Sequence, residues 1–279
     1  MKNNSSYLKI SIVTPSYNQA EFLEDAIKSV LSQGYPNLEY IVIDGGSTDG
    51  SVDIIKKYSD KLAYWVSEPD KGHGDALNKG FKQATGEIMA WINSDDYYFP
   101  WSLRVVSKIF STYPQIEWLT TEKRVISDIN GKPSSPIIFI NFGRLGYKMG
   151  FYLIQSGNCI QQESTFWRRS LWERAGGYIN KSSKLMPDFE LWSRFWNKAE
   201  LYSVDTPLGV FRRQEKQATN ILYGACLDEE KKIFSKYQKR IFLKPLINIP
   251  KFLIYRYPIL YYLFFRNNKR LKKYKGGVN

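Results

Sequence analysis

Histidine and cysteine are almost missing from this chain of 279 residues: there is one His, His73, and there are two Cys, Cys159 and Cys226. A single histidine removes most zinc-site patterns and every His-dependent catalytic scheme not built on that residue. Two cysteines are too few for a disulfide framework, so a reducing compartment is the simpler reading. No uncharged apolar run reaches the roughly 18–20 residues that a membrane-spanning helix needs, and Met1–Ser6 is short and polar, unlike a secretory leader. Dinucleotide and Walker glycine spacings are missing too, since the segment Gly72-His73-Gly74-Asp75-Ala76-Leu77-Asn78-Lys79-Gly80 fits neither. Acidic residues are absent from one end. The formal charge of +13 comes from 40 Lys+Arg against 27 Asp+Glu, but residues 1–230 hold 26 of the basic and all 27 acidic residues. Residues 231–279 hold the other 14 basic residues and none of the acidic ones. The body is near neutral and the excess is a tail.

What is present is enough apolar material for a core: hydrophobic residues make up 43% of the chain, which excludes an intrinsically disordered one, and aromatics reach 16%. Residues 9–121 alternate short apolar runs with helical patterns. Strands are expected at Ile10–Val13, Tyr40–Ile43, Leu62–Val66, Ile88–Ile92 and Ile116–Thr121. Between them, Phe22, Ala26, Ile27, Val30 and Leu31 share one helix face, and Asp49 or Ser51 can cap a helix through Tyr58. Asp75–Ala84 reads as a helix, and Leu103, Val106, Ile109 and Phe110 mark another. This alternation predicts an α/β fold: a mostly parallel sheet with helices on both faces. Beyond residue 121 the rhythm breaks. Arg124–Ile129 followed by Asn130-Gly131 predicts a hairpin, and the glycine-spotted Phe139–Gly157 reads as a mobile loop region. Helices at Ser170–Ala175 and Pro187–Lys198 and short strands at Val204 and Val210–Arg213 follow.

Three polar clusters follow strands directly: Thr14-Pro15-Ser16-Tyr17-Asn18, Asp44-Gly45-Gly46-Ser47-Thr48-Asp49-Gly50 and Asn93-Ser94-Asp95-Asp96. All three are expected along one rim of the sheet, where ligands of open α/β sheets bind. Two adjacent carboxylates, Asp95 and Asp96, repel unless a cation or donors offset them, and oxygen ligands suit Mg²⁺ or Mn²⁺. The alternative is that Asp96 caps a turn while Asp95 is solvated. Asp44 either accepts hydrogen bonds from a base or ribose or shapes its own turn. Tyr17 either stacks on a base or is an exposed loop aromatic. Asp188, opening a helical stretch, either acts as a general base or decorates a helix N-terminus.

In this order, residues 11–19, 41–50 and 85–96 resemble the nucleotide-binding half of glycosyltransferase family 2, the likeness extending over about residues 9–215. The resemblance implies a GT-A fold that uses nucleotide-diphospho-sugars. It implies that Pro15, Tyr17, Asn18, Asp44 and Asp75 hold the nucleotide-sugar. Ser94-Asp95-Asp96 resembles the family's Asp-x-Asp motif, with Asp96 binding a divalent metal (Mn²⁺ or Mg²⁺) and Asp95 positioning the sugar or ribose. Asp188 falls where the family keeps its catalytic base, although the usual Glu-Asp pair reads Pro187-Asp188. Gln214 stands where many relatives carry a histidine near the metal, and Arg212 or Arg213 is expected to compensate at the phosphates. Glu163 sits where relatives often have proline. The implied chemistry is inverting transfer of a sugar to a hydroxyl acceptor, such as a lipid-linked glycan in bacterial surface-polysaccharide assembly. The alternative is a catalytically weak nucleotide-sugar-binding or scaffold protein that keeps the fold.

Residues 1–230 are accordingly read as the catalytic domain, with a nucleotide half at about 9–121 and an acceptor half at about 122–230. Residues 231–279 form a helical basic and aromatic extension, in which Phe252–Phe265 is too short and too broken by Arg256 and Pro258 to cross a bilayer. It suits the headgroup interface, with Arg266, Lys269, Arg270, Lys272, Lys273 and Lys275 drawn to anionic lipid. Peripheral attachment to the cytoplasmic face of the cell membrane is expected, the alternative being a helix packed on the catalytic domain with a solvated tail. Nucleic acid is not, because the body offers no complementary basic face.

Overall fold

The computed structural model describes residues 7–214, 217 and 221–238. The expected membrane-binding stretch Phe252–Phe265 and its basic flank lie outside the described residues. In chain order the elements are β1 (Ile10–Ser16), α1 (Ala20–Leu31), β2 (Leu38–Asp44), α2 (Ser51–Lys57), β3 (Tyr64–Ser67), α3 (His73–Gln83), β4 (Ile88–Trp91), β5 (Tyr97–Tyr98) and α4 (Ser102–Thr112). Then come β6 (Trp118–Thr121), β7 (Lys123–Ser127), β8 (Ile137–Ile138), α5 (Gly143–Lys148), β9 (Phe166–Arg168) and α6 (Arg169–Arg174). The last four are α7 (Pro187–Trp196), β10 (Leu201–Val204), β11 (Gly209–Arg212) and α8 (Tyr223–Tyr237).

The main sheet has seven strands in the order β10-β6-β9-β4-β1-β2-β3. All its pairings are parallel except those of β9, which is wedged antiparallel between β4 and β6. The mostly parallel α/β sheet is therefore present, with one inverted strand that the apolar pattern could not announce. Every residue of β1 is buried, as a central parallel strand requires. Pro15 is tolerated there because the β1–β4 pairing stops at Val13 and Trp91, two residues earlier. A smaller sheet, β5-β11-β7-β8, carries the hairpin expected at Asn130-Gly131 between β7 and β8.

Six of the eight tryptophans are buried, and this is where much of the aromatic content goes. Trp91 of β4 stacks on Trp192 of α7 at 5.8 Å, Trp167 of β9 meets Trp91 at 5.6 Å, and Trp118 of β6 meets Trp196 at 5.0 Å. Offset and edge contacts of this kind add to the area each ring buries. Residues 139–157 differ from expectation. They are packed into the core: Phe139, Phe142, Tyr147, Phe151 and Tyr152 are buried, and both tyrosines stack on Trp196 at 5.7 and 5.4 Å. Glycines at positive φ (Gly143 64°, Gly150 77°, Gly157 65°) turn the chain so often that no helical or strand period survives.

Helix α8 runs across residue 230, where the charge count changes. Its buried side chains are Cys226, Glu230 and Ile233. The neighbouring Glu229 accepts hydrogen bonds from the Ser183 hydroxyl at 2.6 Å and the Met186 N–H at 3.1 Å, and Tyr237 donates to Glu190 at 2.6 Å. These bonds clasp α8 to α7.

Candidate functional site

The loops after β1 and β2 are tied together by their own side chains. Asn18 has a left-handed backbone (φ 51°), its N–H donates to Ser47 Oγ at 2.8 Å, and its Oδ1 accepts the Thr48 N–H at 2.9 Å. Asp49 accepts the Ala20 N–H at 2.9 Å and the Ser51 N–H at 3.0 Å, so it serves the first turn of α1 as well as the start of α2. The Asp44 carboxylate is fully buried and accepts the N–H groups of Gly46 (3.1 Å) and Ser47 (2.8 Å) and the Ser67 hydroxyl (2.7 Å). Of the two roles open to Asp44, turn organisation is the one these bonds describe.

Tyr17, 62% exposed, stands over this loop. A Cβ at Gly45 would lie 2.9 Å from Asp70 Oδ2 and 3.2 Å from Tyr17 Cδ2, so the glycine leaves room for an aromatic face, a carboxylate and open backbone side by side. Asp70 was not among the residues anticipated, although it follows β3 as the other clusters follow their strands. Asp75 points elsewhere: it accepts the Lys71 N–H at 3.1 Å and pairs with Lys181 at 2.5 Å, an ion pair that holds its carboxyl below the usual range.

The centre of the rim is acidic. Asp96 is 1% exposed and accepts the Arg212 N–H at 3.0 Å and an Asn93 amide hydrogen at 3.2 Å. Burial first, then the charges of Asp95 and Glu163, push its carboxyl well above the ordinary value. Asp95, partly exposed, accepts a hydrogen bond from Gln214. Glu163 is buried under β11, where a Cβ on Gly209 would lie 2.5 Å from its carbonyl oxygen. Burial, reinforced by Asp95 and Asp188, lifts Glu163 to about 8. Glu163 thus lies within electrostatic reach of both the Asp95-Asp96 pair and Asp188.

Arg212 differs from its expected role. It is 4% exposed, sits over the rings of Phe22 and Tyr97 at 5.0 and 5.4 Å, and pairs with Asp25 at 3.0 Å. Its main-chain N–H serves the acidic centre, while the guanidinium is committed to a buried aromatic sandwich and to Asp25.

Asp188 enters from the first turn of α7, where Pro187 occupies a position that needs no N–H. Burial raises its carboxyl, against hydrogen bonds from its own and the Phe189 main chain. It lines a cavity of about 30 Å³ together with Cys159, Trp192 and Glu230.

The donor set suits a hard divalent cation. Asp95 and Asp96 raise local negative charge at one point, and a cation there would relieve what burial imposes on Asp96. Among the described residues no three His, Cys, Asp or Glu side chains converge as a ready-made metal cluster. The remaining ligands would then fall to diphosphate oxygens and water, the usual way Mg²⁺ is held.

Comparison with known proteins bears on the family and the fold. Residues 11–174 match the family model described as glycosyl transferase family 2. An uncharacterized glycosyltransferase of Rickettsia typhi is 27% identical over 99% of this chain and 85% of its own length. Among solved structures, TarS 1–349 of S. aureus in complex with UDP-GlcNAc superposes with a TM-score of 0.64 at 19% identity, over 86% of this chain and 69% of that one. Mannosyltransferase PcManGT of Pyrobaculum calidifontis, in complex with GDP-Man and Mn²⁺, gives a TM-score of 0.60 at 18% identity over 94% and 70%. At these identities the two structures share the fold, a GT-A type mixed α/β architecture.

Proposed function

The chain belongs to glycosyl transferase family 2, and from that premise we propose that it moves a sugar from a nucleotide-diphospho-sugar to an acceptor hydroxyl with inversion at the anomeric carbon. The observation that supports this reading is the single acidic rim, in which Glu163 feels Asp95 and Asp188 together. Tyr17, Asp70 and the open backbone at Gly45 receive the nucleoside, while Pro15, Asn18 and Asp44 hold the loops that carry them. Asp75 joins that pocket only by giving up Lys181. Asp96, with Asp95 beside it, holds a divalent cation (Mn²⁺ or Mg²⁺), whose chemistry when bound is to neutralise charge on the diphosphate.

Asp188 is the base. As the acceptor oxygen bonds to the anomeric carbon, the bond to the diphosphate breaks and its electron pair leaves with the phosphate oxygen. The acceptor proton passes to Asp188, and the sugar goes through an oxocarbenium-like transition state. A partly buried carboxylate with a raised proton affinity is a stronger base than a solvated one. The acceptor fits a glycan or lipid-linked glycan of surface-polysaccharide assembly, reached at the cytoplasmic membrane face through residues 231–279; among the described residues no helix is long and apolar enough to cross a membrane.

A thermal-shift series with UDP-GlcNAc, UDP-glucose and GDP-mannose, each with and without Mn²⁺, tests the donor class. A ligand at 100 times its Kd stabilises by about 2.7 kcal/mol. A metal-dependent rise in Tm with at least one donor is expected. No rise with any nucleotide or nucleotide-sugar would contradict the proposal.

A further inference from the structure

The cavity that Asp188 lines is also lined by a second carboxylate. Glu230 of α8 is 2% exposed, and its Oε1 accepts the Ile154 N–H at 2.8 Å. Tyr152, Ile160, Met186, Phe189, Trp192 and Trp196 line it with them, beside Cys159. At about 30 Å³ the space admits about two water molecules, each needing roughly 10–15 Å³. Two acids facing one aromatic-walled space cannot both ionise freely, and a proton held between them relieves the repulsion.

We propose that Glu230 is a positioning residue for Asp188: the two carboxylates share one proton across this cavity, held on Glu230, which keeps Asp188 ionised before attack. The inference rests on Asp188 being the base. In the transfer step the acceptor O–H bond breaks and its proton goes to Asp188. Glu230 already holds the shared proton and cannot take a second, so Asp188 returns to the carboxylate by releasing the acceptor's proton to solvent after transfer.

The surroundings favour Glu230 as the proton holder. Burial first, and the charge of Asp188 next among the raising influences, lift Glu230 to about 7, against the Ile154 N–H and Lys231, which lower it. The other charged or titratable groups facing the cavity are few. Glu229 acts on Asp188 from α8, and Cys159, itself pushed up to about 12 by burial, feels Glu230, Arg124 and Asp188. Arg124 is held away on the carbonyls of Gly157 and Cys159 at 2.9 and 3.2 Å. The pair also supplies the acidic neighbour that Pro187 removes from Asp188 in sequence.

The test is carboxyl NMR on the full chain labelled with ¹³C-glutamate, the Glu230 signal being identified by its loss in E230D. Its midpoint should lie near 7 in the native protein, and D188N should lower it by about one pH unit or more, a tenfold loss of proton affinity. A midpoint unchanged in D188N overturns the proposal. In a second arm, E230Q copies the protonated Glu230 and should keep the acid limb of the pH–rate profile for UDP-GlcNAc hydrolysis, while E230L removes the proton holder and should move that limb to higher pH. An E230L limb at its native position also overturns it. Should E230L not fold or UDP-GlcNAc not be hydrolysed, the D188N titration decides alone. Native-like turnover by D188N would instead sink the base assignment, a result separable from the NMR coupling.

Discussion

Glu230→Gln should make the protein more stable at pH 8 than the native chain, although it alters a buried side chain. Glu230 is 2% exposed and its proton affinity is lifted from the ordinary 4.5 to about 7. The folded state therefore binds a proton that the unfolded state has already released between these values. Stability must fall as pH rises from about 4.5 through 7, because the folded carboxyl is forced to ionise in place. At about 1.36 kcal/mol per pH unit, the gap corresponds to about 3 kcal/mol once the group is fully charged. Glutamine copies the protonated acid in shape and never charges. Urea denaturation at pH 5 and pH 8 reads the effect: E230Q and native should be within about 1 kcal/mol at pH 5, with E230Q ahead by about 2–3 kcal/mol at pH 8. A difference that does not change with pH, or an E230Q that is the weaker protein at pH 8, would refute the reasoning.

Glu39 should show the opposite sign. Burial alone would raise it, but Lys9, Ser11 and Thr85 bind its charged form and bring it to about 2, so its contribution is full above 4.5 and fades as pH falls toward 2. Glu39→Gln should cost about 2 kcal/mol at pH 7 and about 1 kcal/mol at pH 3, the difference vanishing only as pH falls to about 2 and below, by the same urea assay. Gly80→Ala should cost about 1–3 kcal/mol, because its Cβ would strike Val13 of β1 where α3 lies on the sheet, and calorimetric Tm checks it. Trp192→Ala removes the ring stacked on Trp91 and should cost about 3–5 kcal/mol in the same measurement. Asp96→Ala should abolish the Mn²⁺-dependent part of donor binding by titration calorimetry, and an unchanged isotherm would count against the metal assignment.

The strands that carry the rim were legible because they are fully buried on both faces. Ile10–Val13 (broken only by Ser11), Tyr40–Ile43 and Ile88–Ile92 read as apolar runs, and β1, β2 and β4 lie there. The polar clusters could be placed on one rim because parallel strands end on the same side. Asp70 obeys the same rule and was missed only because β3 is partly exposed, so its end was less distinct. Helix α8 was hidden because its inward positions 226, 230 and 233 read Cys, Glu and Ile within a run of charge, and a buried glutamate breaks the apolar stripe. The packing of residues 139–157 was hidden by glycine turns. Arg212 was expected at phosphate because its charge can be read from sequence, whereas the aromatic pair that encloses it, Phe22 and Tyr97, comes from distant parts of the chain.

The central claim is that Asp188 takes the acceptor proton in a site that binds donor independently of it. Single-turnover transfer and donor affinity, measured side by side for native protein and Asp188→Asn with Mn²⁺ and a donor identified by thermal shift, test it directly. The amide keeps the size and the helix position of Asp188, so donor Kd should stay within about twofold. The rate should fall by 10²–10⁴, roughly the span of general-base catalysis. Transfer at the native rate with donor still bound would contradict the account.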